Sequence, residues 1–142
     1  MNDLDKKSIE TRLQRLKECL AKLEPLAEQG LEEFTSNHAF GDIAERNLQV
    51  AIQCCLDIGN HLVSTLAMKQ PEEYRDIFMI LGEEGIIPLE LAKKMAPLAG
   101  LRNILVHEYL QIELEKIYQT LQELRDFDEF SGWILNFIEK ES

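Results

Sequence analysis

The stretch Ile43–Met68, IAERNLQVAIQCCLDIGNHLVSTLAM, decides the fold. Leu48, Ile52, Cys55, Leu56, Ile58, Leu62, Val63 and Leu66 recur at helical rather than strand spacing and cover a wide arc. A helix apolar on nearly all sides belongs in the middle of a bundle. A narrow polar line threads it: Glu45, Gln49, Gln53, Asp57, Asn60 and Ser64. That line faces water, a cleft or a partner subunit, because buried polar groups need partners. Asp42 with Glu45 three residues later has the form of a capping box, so the helix is expected to start there, after a loop over Thr35–Gly41.

Helical periodicity continues on both sides. Ile9, Leu13, Leu16, Leu20 and Leu23 make one stripe on a long first helix ending near Gly30. Pro71 is expected to open a short helix through Tyr74, Ile77, Phe78 and Leu81, which Gly82 and Gly85 close. The next helix runs from about Leu89 to Tyr109 and contains Pro97 and Gly100, so a kink or break is expected before Leu98. Leu114, Ile117, Leu121 and Leu124 mark a fifth helix, and Phe127, Phe130, Ile134 and Phe137 a sixth. No strand alternation persists, and there is no repeat or linker. The expectation is one all-α domain over residues 1–142, an antiparallel bundle of five to six helices kinked near Pro97.

Composition narrows the function. The formal net charge of −11 excludes a uniformly basic nucleic-acid surface, so any RNA contact must be a local cluster. Cys19, Cys54 and Cys55 form neither a disulfide framework nor a zinc knuckle, which points to a reducing, cytoplasmic compartment. The start lacks an apolar signal core and no apolar run spans a bilayer, so no membrane role is expected.

The segment Arg102-Asn103-Ile104-Leu105-Val106-His107-Glu108-Tyr109 concentrates chemistry. Projected at 100° per residue, Arg102, Asn103, His107 and Tyr109 share one broad face, while Leu101, Ile104 and Leu105 lie behind. Asn103 and His107, four apart, are placed for the amide to orient the imidazole. Arginine offers phosphate a planar fork of donors, and histidine exchanges protons near neutral pH. RNA carries its own nucleophile, the 2′-hydroxyl. A histidine removing its proton and an arginine stabilising the phosphate would cleave the strand without a metal, leaving a 2′,3′-cyclic phosphate and a free 5′-hydroxyl. A second copy of the segment, brought by a dimer, would supply both a base and an acid. The blander reading is that Arg and His near a helix C-terminus complement the helix dipole, with Tyr109 a rim residue.

Other constellations carry less. His38, His61 and His107 are far apart, with no metal-ligand spacing and no phosphate-binding glycine loop, so no cofactor is expected. Cys54 and Cys55 read as core rather than nucleophiles. His61 reads as a surface or interface histidine, and Arg46 and Asp57 are candidates to line a cleft.

Arg102, four residues, His107, one residue, Tyr109 resembles the R-x4-H-x-Y form of the HEPN superfamily motif, as in HepT toxins. Glu45–His61, Tyr74–Pro88 and Ala99–Asn103 resemble the same family's second helix, middle segment and approach to the motif. The resemblance implies an all-α HEPN bundle and a homodimer with two R-x4-H segments facing across a cleft. It implies metal-independent RNA cleavage by Arg102 and His107, with no DNA substrate. It also implies an MNT-type nucleotidyltransferase antitoxin that transfers AMP from ATP to Tyr109. The alternative is a non-catalytic chain that serves only as such an enzyme's substrate-binding partner. The RNA substrate, its preferred base, the number of AMP units and the stoichiometry with the antitoxin are not legible in the sequence.

Overall fold

The computed structural model describes residues 4–107 and 112–141; Tyr109 therefore lies outside the described residues. Seven helices and no strand occur among them: α1 Lys6–Ala27, α2 Leu31–Thr35, α3 His38–Thr65, α4 Tyr74–Glu83, α5 Leu89–Val106, α6 Leu114–Leu121 and α7 Arg125–Lys140.

The α1 stripe is buried as expected: Ile9, Leu13, Leu16, Leu20 and Leu23, joined by Cys19 and Leu26. Asp5 caps the helix, its carboxylate accepting from Ser8 N–H at 2.9 Å. The chain turns at Glu28 rather than Gly30, and the short α2 follows with Phe34 buried against Tyr118 of α6. That added helix takes the number beyond the expected six. The α6 helix is tied back to this turn, since Tyr118 Oη donates to Gln29 O at 2.6 Å and Gln122 Nε2 to Ala27 O at 3.1 Å.

At the centre lies α3, packed against α1 along its length and against α4, α5 and α6. It begins four residues before Asp42. Asn37 is the cap, its Oδ1 accepting from Ala39 N–H and Phe40 N–H. Gly41 is thus inside the helix instead of in a loop, and it is buried: a Cβ there would stand 2.9 Å from Leu114 Cδ2. Gly59 does the same on the other side, where a Cβ would meet Ile77 Cγ2 at 2.4 Å. Two close approaches of neighbouring helices, not turns, explain these glycines.

The α4 helix starts after Pro71, not at it. Asp76 accepts from Glu72 N–H (3.1 Å) and Glu73 N–H (3.0 Å), fixing the turn that presents Tyr74. Gly85, at φ +77, ends the helix in the left-handed region, whereas Gly82 is helical and abuts Ala92. Of the kink or break expected before Leu98, a break does not occur, and no fresh half-helix begins there. The α5 helix is continuous through Pro97 and Gly100. Pro97 and Lys93 are both exposed, so the carbonyl that loses its donor meets water, while buried Ala92, Met95, Ala96 and Ala99 hold the helix on either side of the proline. The helix ends at Val106, and His107 is extended (φ −90, ψ 101), short of the expected end at Tyr109. Finally α7 closes the bundle with Phe127, Phe130, Ile134 and Ile138; Phe130 meets Phe78 of α4 edge-on at 5.9 Å.

Candidate active site on α3 and α5

Arg102 is half-buried near the end of α5, facing the polar line of α3. Its Nε donates to Gln53 Oε1 at 2.7 Å. Gln53 Nε2 donates in turn to Asp57 Oδ1 at 2.8 Å. Asp57 Oδ2 lies 3.8 Å from Arg12 Nε on α1, and Arg12 also bonds Ser8 Oγ. From the other side the Arg102 guanidinium sits over the Tyr74 ring, 5.0 Å from its centroid. Three helices therefore fix one guanidinium. Its remaining N–H groups are left for a ligand, in the planar fork that suits phosphate.

Asn103 is in the last turn of α5, engaged with Arg102. Its Oδ1 accepts from Arg102 NH1 at 3.1 Å, and the helix ends before His107. His107 is the exposed, extended C-cap residue, so the helical projection that put it on the arginine face does not extend to it, and Tyr109 lies outside the described residues. Leu101 is buried and Leu105 partly so, but Ile104, expected to anchor the back, is 36% exposed. It lines an apolar cavity of about 530 Å³ with Pro97, Leu101, Ile112 and Lys116.

Of the weaker candidates, Asp57 joins the site while Arg46 is exposed. His61 accepts from Asp5 N–H at 3.1 Å through Nε2, fastening the start of α1 to α3. Burial pushes the Cys54 thiol up to about 11 and the Cys55 thiol well above its ordinary value, so both are protonated core groups. Among the described residues no three His, Cys, Asp or Glu side chains group as metal ligands. Among the described residues no helix is long and apolar enough to cross a membrane. Gln53, Arg12 and Tyr74 are the site residues that sequence reading did not single out. Gln53 was visible as one member of the polar line; nothing local distinguishes Arg12 from other solvated α1 charges.

This geometry has relatives. The chain is 29% identical over 131 residues to the mRNA nuclease HepT of Shewanella oneidensis, covering 92% of this chain and 95% of that one. It is 34% identical over 121 residues to the tRNA nuclease HepT of Aphanizomenon flos-aquae, covering 85% and 82%. In three dimensions it resembles the tri-AMPylated Shewanella oneidensis HEPN toxin solved with its MNT antitoxin, with a TM-score of 0.81, 28% identity, and coverage of 96% and 99%. Residues 16–133, which hold Gln53, Asp57, Tyr74, Arg102 and His107, match the ribonuclease HepT-like family, and the chain belongs to that family.

Proposed function

We propose that this chain is the ribonuclease toxin of a toxin–antitoxin pair. It cuts RNA with Arg102 and His107 at a cleft between two copies of the chain, and an MNT-type nucleotidyltransferase silences it by adding AMP to Tyr109. The observation that carries the reading is the anchored Arg102, held by Gln53 and Tyr74 with donors to spare. In a chain of net charge −11, a fixed guanidinium is the kind of local cation that RNA requires.

The chemistry follows from the residues. One His107 takes the proton of the 2′-hydroxyl, whose oxygen attacks the adjacent phosphorus. Arg102 stabilises the charge that builds on the phosphate oxygens. The 5′-oxygen leaves with a proton, given by the His107 of the second copy, and a 2′,3′-cyclic phosphate remains. Asn103 supports Arg102 through its Oδ1. In the silencing step the Tyr109 phenolic oxygen attacks the α-phosphorus of ATP; pyrophosphate leaves and the phenolic proton is lost. Tyr109 is two residues beyond His107, a span of at most about 7 Å of extended chain. An AMP phosphate there competes for the arginine that the RNA phosphate needs.

Purified protein incubated with RNA in the presence of a chelator is expected to yield 2′,3′-cyclic phosphate ends. His107→Ala should lower the rate by about 10²–10⁴-fold. Equal cleavage by the two proteins removes His107 from the mechanism. If neither cleaves, yet intact mass rises by AMP units when the nucleotidyltransferase and ATP are added, the chain is that enzyme's substrate and not a nuclease.

A further inference from the structure

The ring that stacks on Arg102 has a second environment. Tyr74 is 47% exposed, and it also walls a cavity of about 290 Å³ shared with Asn60, Gln70, Pro71 and Ile77. Such a volume lies at the small end of ligand sites, which run from about 300 to 1,000 Å³. It suits one planar ring system better than a larger ligand. The walls are those a nucleobase uses: an aromatic face, two apolar side chains, and two carboxamides. Asn60 and Gln70 are exposed, and neither amide has a side-chain or backbone partner among the described residues. Carboxamides read base edges because each offers a donor and an acceptor in one plane.

The charges give the site a direction. Arg102 lies on the side where its guanidinium meets the Tyr74 ring, and Glu72 and Glu73 line the cavity side. A phosphate is drawn to the first side and repelled from the second. A base has no such penalty, and its amino hydrogens can be accepted by carboxylates. The polar line of α3 also acquires a purpose along its length. Gln53 and Asp57 serve Arg102, and Asn60, one turn beyond Asp57, reaches the cavity. The wall is firm, because Asp76 pins the backbone of Glu72 and Glu73 next to Tyr74.

We propose that this cavity is a base-recognition subsite: an unpaired base of the RNA strand, next to the phosphate held by Arg102, stacks on Tyr74 and is read by Asn60 and Gln70. The assignment rests on the nuclease reading for the role of Arg102, but it is tested by binding and not by cleavage.

In a His107→Ala background, affinity is measured for a short single-stranded RNA and for a series carrying one abasic site stepped along it. Tyr74→Leu is expected to weaken binding of the intact strand on the order of 10-fold, and Tyr74→Phe to keep it, since the ring face survives. At one abasic position the Tyr74→Leu penalty should shrink to the part owed to Arg102 alone. Asn60→Ala and Gln70→Ala, which do not touch Arg102, should change which base is preferred at that same position. If Tyr74→Leu weakens every strand equally, abasic ones included, the ring only supports Arg102 and the subsite is overturned. Failure of the His107→Ala chain to bind any RNA overturns it too. Binding with Tyr74-dependent base preference, but no cleavage by the unaltered chain, would remove the nuclease reading and leave the subsite standing.

Discussion

One helix, α5, contributes to two polar seams, and they are built differently. Near its end Arg102 meets α3, where each successive partner is satisfied: Gln53 holds Arg102, Asp57 holds Gln53, and Arg12 faces Asp57. Two turns earlier Lys94 meets α6 and α7, around a cavity of about 500 Å³ that Lys116 and Arg125 also line. There Asp126 is 6% exposed, and its Oδ1 has no hydrogen-bond partner. Burial pushes the Asp126 carboxyl upward, and the nearby Lys94 charge only partly draws it back. The two seams teach that a charge drawn into the bundle is stiffened by a connected chain of partners and destabilised by an incomplete one. The first arrangement fixes a guanidinium for chemistry. The second tolerates a carboxylate at a cost to the fold.

The largest test breaks the satisfied seam at its middle. Gln53→Ala removes the acceptor on Arg102 Nε and leaves Asp57 Oδ1 without its donor. RNA cleavage should fall on the order of 10-fold, since a hydrogen bond to a charged group contributes about 1.5–3 kcal/mol. Much of the loss should appear in kcat if the amide aims the guanidinium at the transition state and not merely at bound RNA. Gln53→Glu keeps the acceptor and should recover part of the rate, although it sets a second carboxylate beside Asp57. A Gln53→Ala protein with unchanged kcat would mean that Arg102 is fixed well enough by Tyr74 and Asn103.

These seams also mark how far the sequence could be read. The α1 stripe and the central position of α3 were legible, because burial imposes its period directly on residue type. The start of α3 was not. Asn37 and Asp42 are both good capping residues, and the helix begins at the earlier one, which brings Gly41 inside it beneath Leu114. Pro97 was judged by its intrinsic cost, but an exposed position and buried neighbours on both sides let the helix continue. Arg102 was legible from its motif. Its supports were not, because Gln53 and Tyr74 approach it only through the packing of α3 and α4 on α5. The projection that paired Asn103 with His107 overran for a related reason: it assumed helix through His107, and the helix stops at Val106.

The second test repairs the incomplete seam. Asp126→Asn removes a buried charge while keeping the shape. The sign follows from the direction of the shift. With the folded value raised, ionising Asp126 costs more in the folded chain than in the unfolded one. The cost is absent well below the ordinary value of 3.8, grows as pH rises from there to the raised folded value, and is complete above it. Asp126→Asn should therefore raise the melting temperature at neutral pH, by an amount corresponding to about 1 kcal/mol. The gain should fade as the solution is acidified. A loss at neutral pH would show that Asp126 accepts a hydrogen bond in solution, and the contrast between the seams would narrow.

The smallest test concerns the outer end of the satisfied chain. Arg12 and Asp57 are each 43% exposed in their side chains and stand 3.8 Å apart, so water screens the pair. Such exposed pairs contribute about 0–1 kcal/mol. Asp57→Asn keeps an oxygen that can accept from Gln53 Nε2 and gives up only the charge. Thermal stability should move by less than about 0.5 kcal/mol and cleavage by less than about threefold. Asp57→Leu removes the acceptor as well and should approach the Gln53→Ala protein in rate. The difference between those two substitutions separates hydrogen bonding from charge. If Asp57→Asn alone matches Gln53→Ala, it is the carboxylate charge that holds Gln53 and Arg102 in place, and Arg12 becomes its necessary counterweight.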